Sequence, residues 1–175
     1  MTSQATKIEL VTPFPRENYP LVHRWMLEHR ERMLDDFWPA ALDKFAAELD
    51  RRAAAGERAS LVLQDGAPVG FLGYARITPH LGTLRGVCFA HEVHGNGTAL
   101  RALRTLLQAE FDAGVYKILA WPFADNHRAR AFYSKAGAIH QGLLERHTVR
   151  GGVMVDICLM AFFAPQDGYS AGARK

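Results

Sequence analysis

The chain has 175 residues, 49% of them hydrophobic and 22% charged, with a formal net charge of +3: enough apolar material for one good core, too little length for two ordinary domains, and far from a disordered composition. Its Lys and Arg residues are scattered among Asp and Glu rather than clustered, which argues against nucleic acid, while the modest positive excess suits a small polyanion. No apolar run reaches the ~18 residues of a membrane span and no signal-peptide pattern opens the chain, so a cytoplasmic protein with no membrane partner is expected.

Lys7 to Thr12 reads as a short strand, broken by Pro13 and Pro15. Val22, Trp25, Met26, His29 and Met33 then recur at helical spacing, and a second helix after Pro39 carries Leu42, Phe45, Ala46, Leu49 and Ala53 on one face, with Gly56 as its stop. Ser60 to Gln64 and Pro68 to Ile77 are strand-like runs joined by Asp65-Gly66, a tight-hairpin dipeptide. With Thr83 to Phe89 they predict an antiparallel meander. Its last strand feeds a glycine loop and a helix whose apolar stripe is Leu100, Leu103, Leu106, Leu107 and Phe111.

Gly114 stops that helix; a strand over Tyr116 to Trp121, a helix over Asn126 to Ala136 capped by Gly137, and a hairpin of Ile139 to Val149 with Val153 to Phe163 complete the pattern. Cys88 and Cys158 fall in apolar strand-like runs without metal or redox spacing, and read as buried free thiols of a reducing compartment. Residues 1–164 are expected to form a single domain and 165–175, with Gly168, Ser170, Gly172 and two terminal basic residues, a disordered tail.

A strand running into His94-Gly95-Asn96-Gly97-Thr98-Ala99 and then a helix is the layout an anion site requires. The first helical turn has unpartnered N–H groups and partial positive charge, and glycine lets phosphate oxygens approach the backbone. There is no Gly-Lys-Ser/Thr ending of a P-loop and no third glycine of a dinucleotide fingerprint. What is left is a pyrophosphate site of another kind.

Phe89-Ala90-His91-Glu92-Val93-His94-Gly95-Asn96-Gly97-Thr98-Ala99 resembles the acetyl-CoA motif of the GNAT superfamily, Arg/Gln-x-x-Gly-x-Gly/Ala, filled here by His94, Gly97 and Ala99. His94 departs from the family's Arg or Gln, donating fewer hydrogen bonds and a charge that depends on pH. The segment from Asn126 to Ala138 is similar to the second cofactor motif, Asn-x-x-Ala-x-x-φ-Tyr-x-Lys-x-Gly-φ, with Asn126, Ala129, Tyr133, Lys135 and Gly137 in register. The final hairpin looks like the branch that contains the ribosomal-protein N-terminal alanine acetyltransferases.

The resemblance implies an α/β GNAT fold: a mixed, mainly antiparallel sheet of about seven strands with helices on both faces. It implies acetyl-CoA as co-substrate and direct transfer of its acetyl group to a primary amine, either a protein N-terminus or a small molecule. Phe89, Ala90, His94, Gly95, Asn96, Gly97, Thr98, Ala99 and Asn126 would bind the cofactor. Tyr133 would be the catalytic acid, since a phenol of pKa about 10 can donate to a thiolate of pKa about 8.5 as it forms.

A backbone N–H of the strand ending at Phe89 would hold the oxyanion. No metal is expected, because no histidine has ligand spacing such as His-Glu-x-x-His. Glu28, Asp35, Asp36, His80, His91 and Glu145 are open candidates for the general base. Exposed edge strands make a homodimer an expectation. The alternative is a non-catalytic acyl-CoA-binding module of the same fold, from which Tyr133 is the discriminating residue.

Overall fold

The structure is a computed structural model that describes residues 6–33 and 40–165. Seven strands form one sheet: β1 (Ile8–Val11), β2 (Arg58–Gln64), β3 (Ala67–Thr78), β4 (Leu81–Phe89), β5 (Lys117–Ala120), β6 (Ile139–Arg150) and β7 (Val153–Phe163), in spatial order β1-β2-β3-β4-β5-β7-β6. The helices are α1 (Tyr19–Glu28), α2 (Leu42–Ala54), α3 (Thr98–Asp112) and α4 (His127–Ala136). Every neighbouring pair of strands is antiparallel except β4 and β5. The mixed, mainly antiparallel sheet of the sequence reading is therefore found, with the meander β2-β3-β4 in place.

Period-two alternation along the strands sends side chains to two cores. On one face Leu61, Phe71 and Cys88 pack with Val22, Trp25 and Met26 of α1 and Phe45 and Leu49 of α2. On the other, Val62, Leu72, Leu84 and Phe89 pack with Ala102, Leu103, Leu106 and Leu107 of α3, and α4 adds Phe132 and Tyr133. Each fully buried side chain of this kind contributes ~1.5–3 kcal/mol. Helices thus cover both faces, and α3 and α4 share one of them.

Local readings shift, and β2 and β4 each begin two residues earlier than read, at Arg58 and Leu81. α1 ends at Glu28, with His29 as its cap and a 3-10 turn at Arg30–Arg32, so His29 and Met33 lie beyond the helix rather than on its stripe. The strand before Trp121 is four residues long, not six. Asp65 and Gly66 both take positive φ (51° and 83°), the two-residue turn expected of that dipeptide. Asp35, Asp36 and the tail after Pro165 lie outside the described residues.

What positions the site is a split. β4 and β5 pair in parallel over only Leu81↔Lys117, Gly82↔Ile118 and Thr83↔Leu119, and beyond Thr83 the two strands part. β4 also bulges, with Arg85 standing between the pairs Gly73↔Gly86 and Tyr74↔Leu84. A bulge bends and twists its strand, which carries the end of β4 away from β5.

Candidate active site

The split opens into a cleft of about 820 Å³. Phe89, His94, Gly95, Gly97 and Ala99 line it from β4 and the loop that follows, while Asn126 and Tyr133 line it from α4. The two sequence motifs, about 30 residues apart in the chain, therefore meet across one cavity. Ala90, Asn96 and Thr98 are not among its lining residues and support it from behind.

Gly97 is the N-cap of α3 with φ 85°, and Gly95 has φ 84°, left-handed values that an L side chain adopts only at a cost. A Cβ on either would meet no protein atom within 4 Å, so the space in front of the loop is open to a ligand. The Thr98 N–H is taken by Asn96 Oδ1 at 2.9 Å, and the Thr98 hydroxyl donates to Gln64 Oε1 at 2.6 Å. Asn96 and Thr98 thus hold the shape of the loop and anchor it to β2.

His94 turns inward. Its Nε2 lies 3.2 Å from the Phe89 carbonyl, and His29 Nε2 lies 3.3 Å from the same oxygen. A carbonyl only accepts, so both imidazoles carry their proton on Nε2 at that contact. Partial burial, then the nearby Arg128 guanidinium, hold His94 below its ordinary pKa. Its ring is accordingly neutral at neutral pH, and Arg128, which also lines the cleft, is a permanent charge beside it.

The end of β4 has one polar edge to spare. The Ala90 N–H donates to Val69 O of β3 at 2.9 Å. Amides alternate along an extended strand, so the Phe89 N–H points the other way, into the split, as its carbonyl does.

Asn126 caps α4: its Oδ1 accepts from the Ala129 N–H at 3.0 Å, which leaves the amide NH₂ to face the cleft. Tyr133 packs edge-on against Phe162, with ring centroids 6.1 Å apart. Its surroundings of apolar side chains push the phenol pKa up, so the hydroxyl stays protonated. Cys88 lines the cleft too, but burial pushes its thiol up to about 12, an inert group rather than a nucleophile.

The open candidates for a base are dispersed. His80 stacks on Tyr116 at 4.9 Å and faces Gly114 O, before the start of β4 and outside the cleft. Glu28, His91 and Glu145 are exposed and do not line the cleft. Sequence reasoning passed over His29, Trp121 and His147, all three of which do. Among the described residues no cluster of three or more His, Cys, Asp or Glu side chains is placed to hold a metal ion, and no helix is long and apolar enough to cross a membrane.

The model of the Acetyltransferase (GNAT) family matches residues 14–138. The chain belongs to the GNAT acetyltransferase family. As a GNAT protein it is an acetyl-CoA-dependent N-acyltransferase. Solved structures share the fold at low identity. A ribosomal-protein-alanine N-acetyltransferase from Brucella melitensis superposes with TM-score 0.72 at 20% identity, covering 90% of this chain and 99% of that one.

A spermidine N-acetyltransferase from Vibrio cholerae, in complex with CoA and spermine, superposes with TM-score 0.76 at 17% identity, covering 90% and 95%. A comparison with curated protein sequences finds no significant match.

Proposed function

We propose that this GNAT protein acetylates a primary amine, the N-terminus of a protein or a small molecule bearing an anionic group, by direct attack on bound acetyl-CoA. The pyrophosphate would lie on the N-terminus of α3 at Gly95 and Gly97, with Arg128 supplying charge. The pantetheine arm would run into the split along the edge of β4 and offer its carbonyl to the inward N–H of Phe89, whose own carbonyl is taken by His29 and His94. The observation that carries this reading is Tyr133, a protonated phenol on the wall opposite that edge.

In this reading the amine attacks the thioester carbonyl, backbone N–H groups of β4 steady the oxyanion, and Tyr133 protonates the departing thiolate. The charged side chains that line the cleft among the described residues are Arg32, Arg85, Arg128 and Lys135, and no carboxylate joins them. Arg85 is paired with Glu57 at 3.1 Å and Arg128 is turned to the cofactor's phosphates in this reading, so the lining offers a polycation no carboxylate and leaves Arg32 to attract an acceptor that carries a carboxylate or an acidic peptide stretch.

The test is release of free thiol from acetyl-CoA in a screen of Ala-initiated peptides, small amino acids and spermidine. Turnover of peptides or amino acids above spermidine is expected, and Tyr133→Phe should keep acetyl-CoA affinity while losing ~10²–10⁴-fold in turnover. A protein that binds acetyl-CoA and releases no thiol with any of these amines would be a binding module instead.

A further inference from the structure

The last hairpin is irregular between Leu144 and Thr148. Leu144 pairs with Ile157 and Thr148 with Val155, so Glu145, Arg146 and His147 stand opposite the single residue Asp156. The extra chain is accommodated by Arg146, which takes the left-handed φ of 47°. Its N–H donates to Asp156 Oδ1 at 2.7 Å. Bulges next to active sites re-aim a side chain, and a bulky residue keeps a positive φ only where its surroundings hold it there.

The side chain re-aimed is His147. Its ring stacks on Trp121, with centroids 6.1 Å apart and planes 10° from parallel, and both line the cleft. Trp121 Nε1–H in turn donates to Thr83 Oγ1 at 2.8 Å. Thr83 is buried and forms the last pair between β4 and β5, so the indole closes the inner end of the split. From Thr83 to Phe89 is about 20 Å of strand. An arm anchored by its phosphates near Gly97 runs down that length and brings its thioester toward Trp121.

Three imidazoles line the cleft. His29 and His94 have a nitrogen on the Phe89 carbonyl, whereas His147 has no hydrogen-bond partner among the described residues and is solvent-exposed. We propose that His147 is the general base of the transfer, presented to the acceptor by the Asp156-held bulge and the Trp121 stack. This rests on the amine-acetylation reading above.

Two protons must leave the acceptor nitrogen. One N–H bond of the ammonium breaks as an N–H bond forms on the imidazole, and the exposed imidazolium passes that proton to water. The freed lone pair forms the C–N bond while the C–S bond breaks and the Tyr133 proton moves to sulfur. The second proton, released as the amide forms, restores the phenol. Asp156 is a positioning residue in this scheme, acting through His147.

The experiment compares parent and His147→Ala with two nucleophiles: an Ala-initiated peptide, whose amine is an ammonium at neutral pH, and hydroxylamine, which is already neutral there. With the peptide, kcat/KM should fall ~10²-fold or more and be partly restored by added imidazole, while acetyl-CoA affinity stays at the parent's value. Hydroxylamine turnover should stay at the parent's level, because that nucleophile needs no base. Asp156→Ala should lose peptide turnover and Asp156→Asn, which keeps the acceptor oxygen, should retain it. The double variant His147→Ala with Asp156→Ala should be no worse than His147→Ala alone.

Peptide turnover unchanged in His147→Ala, or an equal fall with both nucleophiles, would overturn the base. A parent that releases no thiol with either nucleophile would overturn the acetylation reading itself.

Discussion

Gly70 faces the ring of Phe89. A Cβ on Gly70 would lie 2.5 Å from Phe89 Cε1 and closer still to Cδ1, so the absence of a side chain on β3 is what lets the Phe89 ring lie flat across the strand pair. Phe89 is buried, and its backbone is the polar edge of the cleft.

Gly70→Ala should therefore displace Phe89 and cost ~1–3 kcal/mol of stability, the usual range for overpacking. Because the displaced ring belongs to the wall of the cleft, the KM for acetyl-CoA should rise as well if the cofactor lies there as proposed. A thermal melt with a titration of acetyl-CoA reads both, and an unshifted melt would mean that the ring moves aside freely.

Gly97→Val is expected to weaken acetyl-CoA binding by at least ~10-fold, about 1.4 kcal/mol. Part of any loss is backbone strain, since a left-handed residue with a Cβ costs ~1–2 kcal/mol. Gly56 is the control: its φ is 83°, a Cβ there meets nothing within 4 Å, and it does not line the cleft. Gly56→Val should lower the melting temperature and leave affinity alone. Equal affinity in both variants by calorimetry would remove the loop from the site.

His94 sits below its ordinary pKa of 6.5, chiefly through burial and then through Arg128. A group with a lowered pKa has lost its proton before neutrality, so any help that its charge gives to a phosphate appears only as pH falls through the acid side of 6.5. Acetyl-CoA affinity should consequently be flat between about pH 7 and about pH 8. His94→Gln, which keeps a donor for the Phe89 carbonyl, should bind like the parent in that window. Progressive weakening across it would show a charged imidazole on the cofactor.

Asn126 has two separable jobs. Asn126→Ala removes the cap of α4 and should cost ~1 kcal/mol of stability. Asn126→Asp keeps the accepting oxygen for the Ala129 N–H but turns the cleft-facing NH₂ into a carboxylate oxygen, so it should fold like the parent and bind acetyl-CoA less well. Parallel losses of stability and affinity in the two variants would mean that the cap alone matters.

The elements and the two motifs were legible because their signals are local. Alternation in Leu61-Val62-Leu63 and in Phe71-Leu72 marks strands with two buried faces, Asp65-Gly66 marks its own turn, and Gly97 and Gly137 mark helix ends at the positive φ they adopt. The inward turn of His94 was not legible, since a side-chain bond to a carbonyl five residues back leaves no mark on composition or period. Nor was the placing of His147. Arg146 is not a residue type that announces a left-handed backbone, and the bulge it makes is a matter of register between strands, decided by the pairing of Leu144 and Thr148 with partners on β7. The contact of Trp121 with Thr83 spans 38 residues and has no sequence pattern at all.

The three residue pairs between β4 and β5 have a mechanical meaning. A four-stranded leaf and a three-stranded leaf are laced together along one short seam, Leu81 to Thr83 against Lys117 to Leu119, with the rest of the boundary unlaced. An amide-bearing arm inserted there, as in the proposed function, adds rungs across that boundary, so part of its binding energy goes into stiffening the plate. Letting coenzyme A go then means breaking those rungs, and the rate at which the arm leaves the boundary becomes a ceiling on turnover wherever it is slower than the chemistry.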